Sequence, residues 1–228
     1  MSLPIVSSFF TSTPSDDFQF DRYTSILANG TFPSSQITLQ FFRNVPRLVC
    51  CDGSARIAYE HGRVPDYVVG DCDSISYEDK LRFQDRIVQI TEQETNDLNK
   101  AFRFCISKNW RNIIILGATG RREDHTLGNI SYLFDFALDA DEVVMATDNG
   151  LFCVLKEPGI IETKPGVQVS IFSFDPNQKI TSEGLKFPLN NLCLPRWRSA
   201  TLNETLSDHF SLDFAPSSPI LLYFAYEG

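Results

Sequence analysis

The chain has 228 residues, long for one ordinary domain and comfortable for two small ones, with 43% apolar and 21% charged residues, the profile of a soluble globular protein. A formal charge of −9 excludes a nucleic-acid partner, which needs a basic face. No apolar run approaches the ~18 residues that span a bilayer, and the N-terminus lacks the basic start and long apolar stretch of a secretory leader, so no membrane partner and a cytoplasmic location are expected. The cysteines at 50, 51, 72, 105, 153 and 193 include no C-x-x-C pair and read as reduced thiols in apolar surroundings.

The first two-thirds of the chain alternates short β-branched runs with helical patterns. Strands are predicted at Ser25-Ile26-Leu27-Ala28, Arg47-Leu48-Val49-Cys50-Cys51, Tyr67-Val68-Val69, Arg86-Ile87-Val88-Gln89-Ile90, Asn112-Ile113-Ile114-Ile115-Leu116 and Glu142-Val143-Val144-Met145-Ala146. The unbroken apolar run Ile113 to Leu116 suits a strand covered on both faces. Leu98, Ala101, Phe102 and Cys105 recur at helical spacing, with Thr95 or Asn96 as the N-cap, and a later helix places Leu127, Ile130, Phe134, Ala137 and Leu138 on one face. Strands alternating with helices imply an open, mostly parallel, Rossmann-like α/β sheet with flanking helices.

Past Asn149-Gly150 the helical periodicity fades. Short apolar runs at Leu151–Leu155, Val167–Phe172 and Ile220–Phe224 are separated by Glu157-Pro158-Gly159, Lys164-Pro165-Gly166 and Asp175-Pro176-Asn177. This is the pattern of an all-β sandwich or barrel. The expected organisation is therefore an α/β catalytic domain over residues 1–149 and a β domain over 150–228.

The acidic residues fall just after the predicted strands. Asp52 follows the second, Asp71 and Asp73 follow the third, Asp97 opens the helix after the fourth, and Asp124 follows the loop after the fifth. In an open α/β sheet the ligand crevice lies beyond the carboxyl ends of the strands, so carboxylates from separate loops converge there. Such a cluster repels itself unless a cation is bound. Ligation by oxygen alone favours Mg2+, with Asp71, Asp73 and Asp97 as ligands and Asp52 in close support.

Gly117-Ala118-Thr119-Gly120 joins a buried strand to a helix. It is neither a Walker A loop nor G-x-G-x-x-G, but Gly117 and Gly120 permit close backbone approach, and a helix N-terminus offers free N–H groups to a phosphate. Arg122 beside it supplies a planar cation for phosphate oxygens. His125 reads either as a phosphate ligand or general acid, or as a residue packed at the helix start. Lys100 either neutralises phosphate charge or pairs with Asp97 along its helix. To this point the residues describe a Mg-dependent nucleotide enzyme, with a nucleotide-sugar transferase, a pyrophosphohydrolase and a non-catalytic sensor as rivals.

The motifs in order resemble those of the thiamin pyrophosphokinases. They are Asn29-Gly30, Asp52-Gly53, Pro65-Asp66 leading into Gly70-Asp71-Cys72-Asp73-Ser74, Thr95-Asn96-Asp97 with Lys100-Ala101, and Gly117 to Gly120 with Arg122, Asp124, His125 and Asn129. Glu183-Gly184-Leu185-Lys186 and Pro188-Leu189 extend the likeness into the β domain. The resemblance implies transfer of a diphosphoryl group from ATP to thiamin, giving thiamin diphosphate and AMP, by a homodimer whose active site lies between subunits. It implies catalytic roles for Asp71, Asp73, Asp97, Arg122 and Asp124, the last either orienting Arg122 or joining the metal shell. It also implies substrate contacts from Asn29, Gln93, Asn96 and Asn129, and thiamin-facing positions at Ser199, Thr201 and Asn203. Leu202 departs from the family there, standing where many members have Ser. Trp197 either stacks on a cationic thiamin ring or belongs to the core. One of the carboxylates serves as base, and the sequence does not choose among them.

Overall fold

The structure, a computed structural model, describes residues 18–226. The start of the chain, on which the reading of no secretory leader rests, lies outside the described residues. Two units are resolved, one spanning Gln19–Asp148 and the other containing Asn149 onward. Among the described residues no helix is long and apolar enough to cross a membrane.

In the N-terminal unit the elements follow in chain order as β1 (Thr24–Leu27), α1 (Gln36–Asn44), β2 (Arg47–Cys51), α2 (Ser54–Glu60), β3 (Tyr67–Gly70), α3 (Tyr77–Arg82), β4 (Ile87–Gln89), α4 (Asp97–Ser107), β5 (Asn112–Leu116), α5 (Glu123–Asp139) and β6 (Glu142–Thr147). The strands pair in parallel in the order β6-β5-β1-β2-β3-β4. Ile113 to Leu116 have no exposed surface, as a strand covered on both faces requires. α2 packs on β1 and β2, α4 lies across β1 to β3, and α5 lies on β6 and against α4. The order reverses at β1, whose neighbours are β2 on one side and β5 on the other. The loops after β1 and β5 therefore leave the sheet at its topological switch point, where α/β folds open a crevice.

The sequence places α5 and two residues of its buried face, Ile130 and Ala137, but not the whole face. Leu127 and Leu138 are 52% and 74% exposed, while Ile130, Leu133, Phe136 and Ala137 are buried. Phe136 sets this orientation by stacking on Phe102 of α4, with ring centres 3.9 Å apart. The fourth strand is also shorter than expected. Arg86 ends a 3-10 turn, and the strand begins at Ile87.

Asp148, just past β6, ties down the start of α1. Its carboxylate accepts hydrogen bonds from Ser34 N and Ser35 N, both at 2.9 Å, from Thr38 Oγ1 at 2.6 Å and from Ser34 Oγ at 2.5 Å. Burial pushes its carboxyl up, but the bonds from Ser34, Ser35 and Thr38 outweigh it and hold the group at about 2, below its ordinary 3.8. A depressed carboxyl stabilises the fold above the unfolded pKa, and the contribution is lost as pH falls through the folded one. We expect Asp148→Ala to cost about 1–2 kcal/mol at neutral pH, after allowance for screening at a half-buried site. The gap in melting temperature closes as the pH approaches about 2. Equal melting curves for the two proteins at pH 7 would refute this.

In the second unit the strands are β7 (Gly150–Leu155), β8 (Gly159–Glu162), β9 (Gln168–Ser173), β10 (Lys179–Glu183), β11 (Leu192–Cys193), β12 (Ala200–Glu204), β13 (His209–Asp213) and β14 (Ile220–Ala225). They form antiparallel layers in the orders β12-β9-β14-β7 and β11-β10-β13-β8. Phe210 of β13 meets Phe224 of β14 across the interior with ring centres 6.2 Å apart, so the layers form a sandwich.

Candidate active site

The loops after β2 and β3 bring Asp52, Asp71 and Asp73 together, each offering one oxygen within 4.8 Å of the others. Asp52 is held from several directions. Cys72 N donates to its Oδ1 at 3.3 Å and Ser74 Oγ to its Oδ2 at 3.1 Å. Asp52 and Cys72 both have left-handed backbones, with φ of 32° and 65°, a strain that persists where the surroundings over-determine the conformation. Gly70 is required beneath them, since a Cβ there would lie 1.9 Å from Asp52 Oδ1 and 3.1 Å from Asp97 Oδ1.

The charges set the site's electrostatics. Burial, and then the Asp97 charge, raise the Asp52 carboxyl to about 6 against the pull of its Ser74 and Cys72 hydrogen bonds. Asp97 is raised as well, chiefly by burial and in spite of Lys100. Asp71 is lowered, by the amide of Asp73 and then by Gln93, whose Nε2 donates to Asp71 Oδ2 at 3.2 Å. Lys100 is 3% exposed, with Nζ 3.3 Å from Asp97 Oδ1 and 3.9 Å from Asp71 Oδ2. Lys100 therefore makes the intrahelical pair, and its ammonium also lies at the edge of the carboxylate group. The group as a whole is rich in negative charge and offers only oxygen donors, which fits a hard divalent cation.

Asp97 and Asp124 fall outside the trio that lies within 4.8 Å. Asp97 opens α4, paired with Lys100. Asp124 engages Arg122, which donates from Nε at 3.0 Å and from Nη2 at 2.5 Å. The Arg122 bond holds the Asp124 carboxyl at about 2. Of the two alternatives for Asp124, the geometry favours orientation of Arg122.

Beside the carboxylates a cavity of about 340 Å³ opens at the switch point between β1 and β5. Its walls include Asn29, Gly30, Asn96, Asp97, Ala118, Thr119, Arg121, Arg122, His125, Thr126 and Asn129. Gly117 and Gly120 have φ of 63° and 88°, backbones that suit glycine, and a Cβ on Gly30 would meet Gly117 O at 2.4 Å. Arg121 donates to Asn29 Oδ1 at 3.3 Å. Neither Arg121 nor Thr126 had been assigned a role from the sequence, although Arg121 adjoins Arg122 in the loop after β5. His125 lies in the first turn of α5, with its amide on Asp124 Oδ1 at 2.9 Å.

In the C-terminal unit Trp197 is neither buried nor isolated. It is half-exposed, and its ring lies 5.1 Å from that of Phe174. Ser199 ends a 3-10 turn, and Thr201 is exposed on β12. Asn203 is buried. Its Oδ1 accepts from Phe187 N at 3.0 Å and its Nδ2 donates to Phe187 O at 2.7 Å. The cause is Leu202, whose φ of 59° accompanies a register shift in β12 and breaks the in–out alternation.

A family model described as the catalytic domain of thiamin pyrophosphokinase matches residues 38–151, and one described as its substrate-binding domain matches residues 150–223. The chain is 26% identical to the thiamine pyrophosphokinase of Bacillus subtilis (strain 168) over 170 residues, covering 71% of this chain and 79% of that protein. It is 29% identical to thiamin pyrophosphokinase 1 of Caenorhabditis elegans over 181 residues, covering 70% of this chain and 69% of that protein. The crystal structure of the Bacillus subtilis enzyme shares the fold at a TM-score of 0.73 and 22% identity, over 90% of this chain and 98% of that one. That of the Candida albicans enzyme does so at 0.75 and 19% identity, over 91% and 90%. With both of its halves matched in order, the chain belongs to the thiamin pyrophosphokinase family.

Proposed function

We propose that this chain transfers the diphosphoryl group of ATP to the primary hydroxyl of thiamin, releasing AMP. The observation that carries this reading is the Asp52, Asp71 and Asp73 group beside a cavity walled by Arg122 and the Gly117–Gly120 loop, on a chain of this family. The thiamin oxygen attacks the β-phosphorus. The bond from that phosphorus to the oxygen bridging it to the α-phosphorus breaks, and AMP leaves with that oxygen. The hydroxyl proton passes to one of the carboxylates. Asp52, Asp71 and Asp73 would hold a magnesium ion, which would supply charge neutralisation for the transferred group. Arg122, oriented by Asp124, offers its guanidinium to the phosphates. Lys100 holds Asp97 and Asp71 in place and adds a fixed positive charge at the edge of the site. Such chemistry depends chiefly on positioning and electrostatics.

The thiamin side of the reading rests on the C-terminal unit. The half-exposed Trp197 ring suits a cationic thiazolium, and Ser199 and Thr201 lie near it in sequence. Exposed Phe187, Leu202 and Leu206 on that unit support a homodimer, and the thiols of Cys50, Cys51, Cys72 and Cys105, buried among apolar residues, support a cytoplasmic setting. Purified protein given ATP, Mg2+ and thiamin is expected to release AMP in step with thiamin diphosphate. Release of ADP instead, or AMP release that ignores thiamin, overturns the proposal.

A further inference from the structure

Asn96 and Asn129 both line the cavity, yet their amides are engaged with the protein. Asn96 is the N-cap of α4, its Oδ1 accepting from Asn99 N at 3.0 Å. Its Nδ2 donates to Asn129 Oδ1 at 2.9 Å, and Asn129 Nδ2 donates to Ala118 O at 2.8 Å. Asn129 is only 8% exposed, and the Ala118 bond is buried. The three bonds run head to tail, from the first turn of α4 through the side of α5 to the loop after β5. Hydrogen bonds aligned in this way reinforce one another in a low-dielectric interior.

We infer that Asn96 and Asn129 are positioning residues. Their relay fixes the distance between Asp97 and Lys100 at the start of α4 and the Gly117–Gly120 loop at the start of α5. The inference rests on the diphosphoryl-transfer reading, because that distance matters to catalysis only if the phosphates reach from the carboxylates to the loop. Capping alone does not account for the arrangement. Asn96 Oδ1 completes the cap without help, whereas the other two bonds join segments 33 and 11 residues apart in sequence.

The relay has a direction, and this makes it testable. Asp is as good an N-cap as Asn, so Asn96→Asp keeps the helix start. It removes the donor to Asn129, and if Asn129 turns its own amide to compensate, its oxygen faces Ala118 O. The expected result is a kcat lower by about 10- to 100-fold, since misplacement of about 1 Å at a reacting centre costs on that order. The KM for thiamin should stay within about twofold and the melting temperature within a few degrees. Asn129→Ala should give a similar loss, and the double variant should be little worse than either single one, because the variants break one chain. Losses that multiply, an unchanged kcat in Asn96→Asp, or an effect confined to the KM for ATP would overturn the inference.

Amide hydrogen exchange in the ligand-free protein reads the relay apart from the reaction. Asn96→Asp should speed exchange of the 117–120 amides about tenfold, the loosening expected when a local restraint is removed. Unchanged exchange overturns the inference even if the wild-type enzyme turns over. Faster exchange in a protein that never makes AMP faults the proposed reaction and not the relay.

Discussion

Asp71→Asn is expected to lower thiamin-dependent AMP release by about 10²- to 10³-fold, the scale of loss when one preorganised charge contact is removed from a transferring group. The side chain keeps its shape, and its one remaining oxygen can still accept from Asp73 N, which lies 3.3 Å from Asp71 Oδ1, or from Gln93 Nε2, which lies 3.2 Å from Asp71 Oδ2. The charge is lost together with one acceptor, since the amide nitrogen only donates. The wild-type carboxyl lies below its ordinary range, so it is ionised at every pH at which the protein would be assayed, and no pH change restores the variant. Fold and melting temperature should be nearly unchanged, because Asp71 is not a core residue. Activity within about threefold of wild type would remove Asp71 from the proposed metal site.

Gly70→Ala should be as damaging by another route. The added Cβ would sit 1.9 Å from Asp52 Oδ1 and 2.6 Å from its Cγ. A free side-chain end would swing away at little cost, but Asp52 is fixed by Cys72 N and Ser74 Oγ on a left-handed backbone. The carboxylate must leave the group, or the loop after β3 must move. We expect about a 10²-fold loss of turnover, together with about 1–3 kcal/mol of stability, the range for overpacking a filled interior. Activity and melting behaviour close to wild type would mean that Asp52 has freedom the structure denies it.

These contacts also show what could be read in advance. Arg47–Cys51 and Asn112–Leu116 are bounded in the sequence as they are in the fold, because each is an apolar run cut off by turn residues. The crowding of Asp52, Asp71 and Asp73 followed from their positions just past successive strands. What stayed hidden depends on partners distant in the chain. The buried face of α5 is chosen by Phe136 stacking on Phe102, and no periodicity within α5 distinguishes that face from the one carrying Leu127 and Leu138. The inward turn of Asn203 follows from a left-handed Leu202, a conformation that leucine rarely signals. The buried ammonium of Lys100 belongs to the same class, since a lysine at i+3 from an aspartate ordinarily reads as a solvated pair. Short helices such as α3 and brief strands such as β11 carry too few residues for any pattern to stand out.

β1 lies at the centre of the N-terminal sheet, yet its two partners reach it at different stages of synthesis. Its Ile26 pairs with Val49 on one side and Ile115 on the other. A growing chain can close the first pairing early, through a short loop. The second waits until some ninety further residues have emerged, and contacts so distant in sequence form slowly. Until then β1 presents an unpaired edge that includes Ile26 and Leu27, the kind of edge that recruits other chains. The crevice between the loops after β1 and β5 does not exist before that pairing, so no ligand held there can shelter this edge in the nascent protein.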